Sequence, residues 1–142
     1  MAVLTNASAP ATLCVDALTS AGLVVASLAR STQAALPPTA VEGNPVDLGT
    51  GASADSYRRA VEVLLAGDEA DALVVLHVPV GLAAPVEVGR AVAAGVDGAR
   101  TAGSGQGKPV VASIVGDEAI TFALHAPGGE KIPVYPFPEA IG

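Results

Sequence analysis

The sequence has one cysteine, no tryptophan, and only two phenylalanines and two tyrosines among its 142 residues. The single cysteine, Cys14, excludes an internal disulfide and a cysteine-based zinc site. Because half of the chain is nevertheless apolar, mostly as alanine and valine, the core must consist of small side chains that let backbones approach closely. We expect one domain over residues 1–142, with Cys14 in its core.

Positive charge is scarce as well. The chain has seven lysines and arginines but fourteen aspartates and glutamates, which gives a net charge of −7. An acidic chain without a basic patch is poorly suited to nucleic acid or an anionic membrane. No apolar run approaches the roughly 18 residues of a membrane span, and the start, MAVLTNAS, lacks the pattern of a signal peptide. We therefore expect a cytoplasmic protein with no nucleic-acid or membrane partner.

The sequence does contain an alternation of apolar runs and helical patterns. The runs predict five buried strands, at 2–6, 23–28, 72–78, 109–115 and 132–137. Apolar residues at helical spacing predict helices at 8–21, 54–68 and 85–99, with weaker ones at 31–38, 118–124 and 138–142. This order predicts an α/β fold with three layers, flavodoxin-like, in which a parallel five-stranded sheet has the order 2-1-3-4-5.

The spacing within two of these helices also predicts their buried faces. For the first helix the predicted face is Pro10, Leu13, Ala17, Leu18 and Ala21. For the helix at 54–68 it is Tyr57, Ala60, Val61, Leu64 and Leu65.

The stretch NPVDLGTGAS, residues 44–53, is the most informative loop. Asp47 can accept backbone N–H bonds and hold the turn, while Gly49 and Gly51 allow positive φ and a close approach of ligand to backbone. Ser53 is a suitable N-cap for the following helix. A helix N-terminus offers free N–H groups and partial positive charge, which suit phosphate or carboxylate. An ordinary loop with an Asx-type turn explains the same residues, and the pattern is not a Walker loop.

A second polar turn, TNASAP at 5–10, follows the first predicted strand. It again supports either anion binding at a helix N-terminus or plain N-capping, and it lacks the glycines of a dinucleotide fingerprint. Ligands of such sheets bind beyond the carboxyl ends of the strands. The candidate phosphate-binding residues from the two turns are Asn6, Ser8, Asn44, Asp47, Gly49, Thr50, Gly51 and Ser53.

The two histidines give no sign of a catalytic group. His77 lies inside an apolar strand, which is typical of a partly buried histidine with satisfied hydrogen bonds, and His125 is expected to be exposed. Neither belongs to a recognisable triad with a nearby carboxylate and nucleophile. We predict no catalytic residue and no metal site in this chain.

Taken together, several segments resemble one domain of the ADP-forming acyl-CoA synthetases, the superfamily of acetate–CoA ligase and succinyl-CoA synthetase. The resemblance covers nearly the whole chain. Its most specific part is NPVDL followed by a glycine-containing turn, a tyrosine-bearing helix and ALVVLHVPV; AVLTNASAPATL, KPVVASIVG and IPVYPFPEAI add to it. The domain that it resembles is the second flavodoxin-like CoA-ligase domain of a larger multidomain protein.

This resemblance implies a reaction and a set of partners. The family forms acyl-CoA from an acid, CoA and ATP, releasing ADP and phosphate, through an acyl phosphate and a phosphohistidine on a mobile segment. Helix N-termini at the rim of this domain would help to hold that phosphate. CoA and ATP or ADP with magnesium belong to the full-length family, and this domain alone is expected to bind no cofactor. The implied partners are the CoA-binding, phosphohistidine and ATP-grasp domains of the same or a partner chain; a homo-oligomer stays open.

One departure from the family pattern leaves an alternative. Where the family usually has Asn-Ala-Gly-Gly-Pro-Gly, this chain has Ser8, Ala9 and Ala11 in place of the glycines. That change favours a catalytically silent scaffold or regulatory module in a protein acetyltransferase fusion, whereas the intact NPVDL loop favours the ligase. A flavodoxin-like small-molecule binder is a third interpretation, although the chain has no flavin signature. In no case is the isolated domain expected to complete the ligase reaction.

Overall fold

The computed structural model describes residues 1–115, 120, 124–125 and 127–141. Its strands are β1 (Ala2–Thr5), β2 (Val46–Asp47), β3 (Leu73–His77) and β4 (Val110–Ile114). Its α-helices are α1 (Ser8–Ser20), α2 (Arg30–Ala35), α3 (Ala54–Ala66) and α4 (Pro85–Thr101), and a 3-10 turn covers Pro138–Ile141. The predicted helix at 118–124 falls mostly outside the described residues.

The strands form one parallel sheet in the order β2-β1-β3-β4. Side chains of β3 alternate between the two faces, as the period of two requires. Val74 and Leu76 pack with Cys14 and Leu18 of α1 on one face, and the other face packs against α3 and α4. The predicted three-layer α/β fold with a parallel sheet is therefore confirmed.

The prediction of five strands is wrong, because the described part of the sheet has four. The segment predicted as the fifth strand, 132–137, contacts β4 through one bridge, in which the N–H of Ala112 donates to the carbonyl of Pro133 and Tyr135 donates to the carbonyl of Ala112. The backbone of Pro133 faces β4 but has no N–H to donate, so the ladder cannot extend toward the start of this segment.

The second strand was also assigned to the wrong segment. Residues 23–28 form no strand, and Val24 is 77% exposed. The physical reason lies in Asn44, whose side chain accepts the N–H of Val3 and donates to the carbonyl of Ala26. This amide occupies the edge of β1 where residues 23–28 would have paired, and Val46 takes the next position along β1.

The helix faces were predicted with unequal success. The five residues predicted for α3 are all buried, as expected. In α1 the buried residues are instead Ala11, Cys14 and Leu18, while Leu13 is 54% exposed. Because α1 is rich in small apolar residues, its spacing fits more than one stripe, and only the packed sheet selects between them.

Close packing joins α3 to α4, as the alanine-rich composition predicted. A Cβ added to Gly95 of α4 would lie 2.7 Å from the carbonyl oxygen of Arg58 on α3. The two helices therefore approach to a distance that only glycine permits at this position. This contact fixes the start of α3, and with it the loop that precedes α3.

Candidate functional site

The two polar turns lie at the same end of the sheet. Thr5, the last residue of β1, is the register partner of Asp47, the last residue of β2. The N–H of Leu48 donates to the carbonyl of Thr5 across a distance of 2.8 Å. Both turns thus begin at the carboxyl ends of adjacent strands, which is where parallel sheets place their ligands.

A third loop, residues 78–84, lies at the same carboxyl rim, after the end of β3. The Asn6 side chain donates to the carbonyl of Val78 at 2.8 Å and accepts its N–H at 3.0 Å. Further along, Gly81 lies so close to the loop before α3 that an added Cβ would be 1.9 Å from the carbonyl oxygen of Thr50. The three loops therefore form one connected surface.

Asp47 holds its turn as the sequence predicted. Its Oδ1 accepts the N–H of Gly49 at 2.8 Å, which is an Asx-type turn. Gly49 has φ of +77°, where a side chain would be strained, but φ of Gly51 is not in the positive range. Of the two predicted conformational glycines, only Gly49 is required by its backbone.

The N-terminus of α3 is already filled by side chains. Ser53 is the N-cap and its Oγ accepts the N–H of Ser56 at 3.1 Å. Asp55 in the first turn bonds to Arg58, which is the main cause of the lowered pKa of Asp55. Because a hydroxyl oxygen and a carboxylate already meet the positive end of this helix, little of its field is left for a ligand.

The N-terminus of α1, in contrast, is open. Its N-cap residue, Ala7, makes no side-chain cap, and the first turn contains no acidic residue. Ser8 and Ala9 are exposed. The first N–H groups of a helix have no partner within it, and no side chain of Ala7 is available to accept those of α1.

A cleft of about 250 Å³ lies beside this helix end, between α1 and β2. Apolar atoms dominate its walls, and polar atoms come from Thr5, Ser8, Thr12 and Asp47. The Oγ1 of Thr5 is occupied, since it donates to the carbonyl of Ala7 and accepts the N–H of the same residue. Ser8 at the helix end and the Asp47 carboxylate thus line the same cleft.

The two asparagines among the predicted residues have other partners. Asn6 is 2% exposed and both polar atoms of its side chain bond to Val78. Asn44 bonds to Met1, Val3 and Ala26, beside the start of β1 and away from the rim. Phosphate binding by either amide stays a prediction, but the structure gives both amides a structural role.

The structure also reveals a buried pair that the spacing did not predict. The Oη of Tyr57 lies 3.0 Å from the carbonyl oxygen of Leu76 and 3.2 Å from Nδ1 of His77. His77 is 2% exposed and its Nε2 has no hydrogen-bond partner, so the expectation of a satisfied histidine holds for only one of its nitrogens. Burial is the main cause that lowers the pKa of His77 and raises that of Tyr57. The spacing of apolar residues predicts that Tyr57 and His77 are both buried, but it does not predict that they contact each other.

The remaining candidate groups are a metal cluster, the cysteine and the second histidine. In the described part of the chain, no group of three or more His, Cys, Asp or Glu side chains is placed to hold a metal ion. Cys14 is buried as predicted, and burial raises the pKa of its thiol to about 11, which disfavours the reactive thiolate. His125 is exposed, also as predicted. Among the described helices, none has the length and apolar character that crossing a membrane demands.

Two comparisons of the sequence with known proteins both identify similarity to CoA ligases. The sequence profile of the Ligase-CoA domain matches residues 1–141. The chain is 29% identical over 147 residues to subunit alpha of an ADP-forming acetate–CoA ligase II of Pyrococcus furiosus, covering 99% of this chain and 31% of that protein.

Solved structures are similar to this chain over nearly its whole length. A Pyrococcus horikoshii OT3 protein superposes with a TM-score of 0.82 at 28% identity, covering 99% of this chain and 33% of that one. The dinucleotide forming acetyl-coenzyme A synthetase 1 of Ca. Korarchaeum cryptofilum, in its apo form, superposes with a TM-score of 0.80 at 26% identity, covering 97% of this chain and 30% of that one. The chain thus spans about a third of the length of the relatives that it matches.

Proposed function

This chain belongs to the Ligase-CoA domain family, and on that premise we propose that it is the phosphate-holding domain of a larger NDP-forming acyl-CoA synthetase. The whole enzyme would convert an acid, CoA and ATP to acyl-CoA, ADP and phosphate. The observation that carries the proposal is the N-terminus of α1 at the carboxyl rim, which has no side-chain cap and whose first residues, Ser8 and Ala9, are exposed. Such a helix end favours a dianionic phosphate.

The role of each group follows from its contacts. Ser8 and Ala9 would donate backbone N–H bonds to a phosphate that another domain delivers as a phosphohistidine or an acyl phosphate. Thr50 and Gly51, which are exposed on the neighbouring loop, would approach the same phosphate. Asp47 would act through Gly49, by holding that loop in place. Asn6, Asn44 and Ser53 are left out of the proposed ligands, because their side chains bond to the protein itself.

The helix end alone stabilises a charge by about 0.3–2 kcal/mol. That is far less than the lowering of an activation barrier that an enzyme needs. The proposed domain therefore acts with others: a CoA-binding domain, a domain with the phosphorylated histidine, and an ATP-grasp domain that binds ATP or ADP with magnesium. By this proposal the 142-residue chain by itself binds no cofactor and completes no reaction.

The proposal is tested by removing one N–H from α1 in the full-length natural protein. Ser8 is the first helical residue, where proline is tolerated, and Ala7 before it has the extended φ and ψ of −152° and 134° that proline requires. Ser8→Pro removes the N–H, whereas Ser8→Ala removes only the hydroxyl. We expect Ser8→Pro to lower acyl-CoA formation by about 2- to 30-fold, in line with the energy of a helix end, and Ser8→Ala to have a smaller effect.

Equal activity of Ser8→Pro and the unchanged protein, with the helix intact by circular dichroism, would remove the α1 N-terminus from the reaction. The experiment also addresses the second candidate, a silent module in an acetyltransferase fusion, which Ser8, Ala9 and Ala11 in place of glycines favour. In that case the unchanged full-length protein would neither become phosphorylated from ATP nor form acyl-CoA.

A further inference from the structure

The cleft between α1 and β2 contains the carboxylate of Asp47. This residue ends β2, and its register partner is Thr5 of β1. Val3, two residues before Thr5, packs with α1, so the period of two directs Thr5 and Asp47 to the α1 face as well. Both residues accordingly line the cleft. A group that enters between α1 and β2 would therefore meet the Asp47 side chain.

Only one oxygen of this carboxylate is bonded. Oδ1 of Asp47 accepts the N–H of Gly49 at 2.8 Å, whereas Oδ2 receives no hydrogen bond from the described residues. None of the ion pairs among those residues includes Asp47, which is half-buried. A carboxylate that is partly removed from water favours a cationic partner. The start of α1 contributes only roughly half a positive charge, so the charge of the cleft remains negative.

The rest of the cleft suits an aliphatic chain with a small polar end. Ala11, Val15 and Pro45 supply apolar walls, and the volume is about 250 Å³. The hydroxyl of Thr12 donates to the carbonyl of Ser8, so its oxygen keeps lone pairs for a further donor. The cleft thus combines apolar contact along its sides with acceptor oxygens.

We propose that this cleft receives a lysine side chain from a partner domain. Its ammonium would pair with Oδ2 of Asp47, while its methylene groups would lie against the apolar walls. An arginine fits less well, because its planar fork bonds best to both oxygens of a carboxylate, and Oδ1 is already bonded to Gly49. The net charge of −7 likewise favours a partner that presents a basic group.

This inference goes beyond the proposed function and does not depend on it. If a phosphate binds at the start of α1, it shares the cleft with the Asp47 carboxylate, because Ser8 and Asp47 both line it. Like charges placed in this way repel each other. An ammonium on Asp47 would offset that repulsion, and without any phosphate it would still pair with the carboxylate.

Butylammonium, which has the alkyl chain and charge of a lysine side chain, tests the cleft in the 142-residue chain. We expect saturable NMR shifts of the Thr12, Val15 and Gly49 amides near neutral pH. The uncharged 1-butanol should bind about 10-fold or more weakly, as the loss of a hydrogen bond to a charged group implies. Asp47→Asn, which keeps an acceptor for Gly49, should weaken butylammonium equally. Asp71→Asn removes an exposed charge before β3, at the other end of the sheet, and should change binding less than about 2-fold.

A carbodiimide identifies the lysine in the full-length natural protein, assembled with the chains that copurify with it. This reagent condenses a carboxylate and an amine that are in contact to an amide. Peptide mass spectrometry should find Asp47 joined to a lysine outside residues 1–142, and Asp47→Asn should lack the product. Shifts with butylammonium but no such product, in a protein whose other carboxylates react, would indicate a site for a free amine and overturn the inference.

Two results from the 142-residue chain would also overturn it. One is the absence of localised shifts up to about 100 mM butylammonium, which exceeds the millimolar effective concentration of a tethered group. The other is equal binding of butylammonium to Asp47→Asn and to the unchanged chain. Neither measurement involves phosphate or turnover, so a failure here is distinguishable from a failure of the Ser8→Pro experiment.

Discussion

Asn6 and Val78 are 72 residues apart in the chain, yet the side-chain amide of Asn6 bonds to both the carbonyl and the N–H of Val78. One asparagine thereby bonds to both backbone groups of the residue that follows β3. The turn after β1 and the turn after β3 are fixed to each other by this pair, and the carboxyl rim keeps its shape through it.

Asn6→Ala should therefore destabilise the protein. The substitution leaves the N–H of Val78 without a partner and removes one of the two donors to its carbonyl, which also accepts the N–H of Val80. Such a loss costs about 1–3 kcal/mol. Urea unfolding of the 142-residue chain measures it. Ser20→Ala, at the exposed end of α1, serves as the control and should lie within about 0.5 kcal/mol of the unchanged protein. Equal stabilities of Asn6→Ala and the control would contradict the role assigned to Asn6.

The two tyrosines offer a matched pair. Tyr57→Phe deletes a fully buried hydroxyl bonded to Leu76 and His77 and should cost about 1–3 kcal/mol. Tyr135→Phe deletes the hydroxyl of a 36% exposed residue and should cost less than about 0.5 kcal/mol. The denaturant midpoints of the two variants measure these costs. A larger loss of stability in Tyr135→Phe than in Tyr57→Phe would mean that the buried hydroxyl of Tyr57 is not stabilising.

High pH should unfold the protein through Tyr57. Burial is the main cause that raises the pKa of Tyr57, and the charge of Asp47 adds to it. The folded state therefore holds the phenolic proton more tightly than the unfolded state. Its contribution to stability is complete below about pH 10, the ordinary tyrosine value, and is lost as pH rises above it.

An absorbance titration of the Tyr135→Phe variant reports Tyr57 alone. We expect ionisation and loss of the helical signal to occur together. Ionisation of Tyr57 in a chain that keeps its circular dichroism spectrum would show that the side chain is accessible in the folded state.

A glycine pair tests the contact between the rim loops. Gly81→Ala would place a Cβ 1.9 Å from the carbonyl oxygen of Thr50, so one loop must move. A Cβ on Gly51 would meet nothing within 4 Å, and its φ is not positive. Gly81→Ala should cost about 1–3 kcal/mol by overpacking, and Gly51→Ala about 0.5 kcal/mol or less, as measured by urea unfolding. A tolerated Gly81→Ala would show that the loops separate easily.

The last prediction concerns Asp47 in the full-length natural protein. Asp47→Ala removes the acceptor for the Gly49 N–H and should weaken phosphorylation or acyl-CoA formation, because the loop loses its support. Asp47→Asn keeps an acceptor oxygen at the same place without the charge, so it should retain more activity. Unchanged turnover in a normally folded Asp47→Ala protein would remove Asp47 from the proposed site.

Local features of this protein follow from the sequence alone. The buried face of α3, the Ser53 cap and the Asp47 turn depend on residues no more than a few positions apart, so spacing and residue type suffice to predict them. The alternation of strands and helices likewise determines a parallel α/β sheet.

The tertiary structure decided what depends on distant partners. Asn44 reaches Val3 across 41 positions and thereby assigns β2 to Val46–Asp47 instead of residues 23–28. The packed sheet selects the buried stripe of α1, and His77 meets Tyr57 only when α3 lies against β3. Hydrogen bonds between distant segments leave no period in the sequence, because each is set by the geometry of the whole packed chain rather than by neighbouring residues.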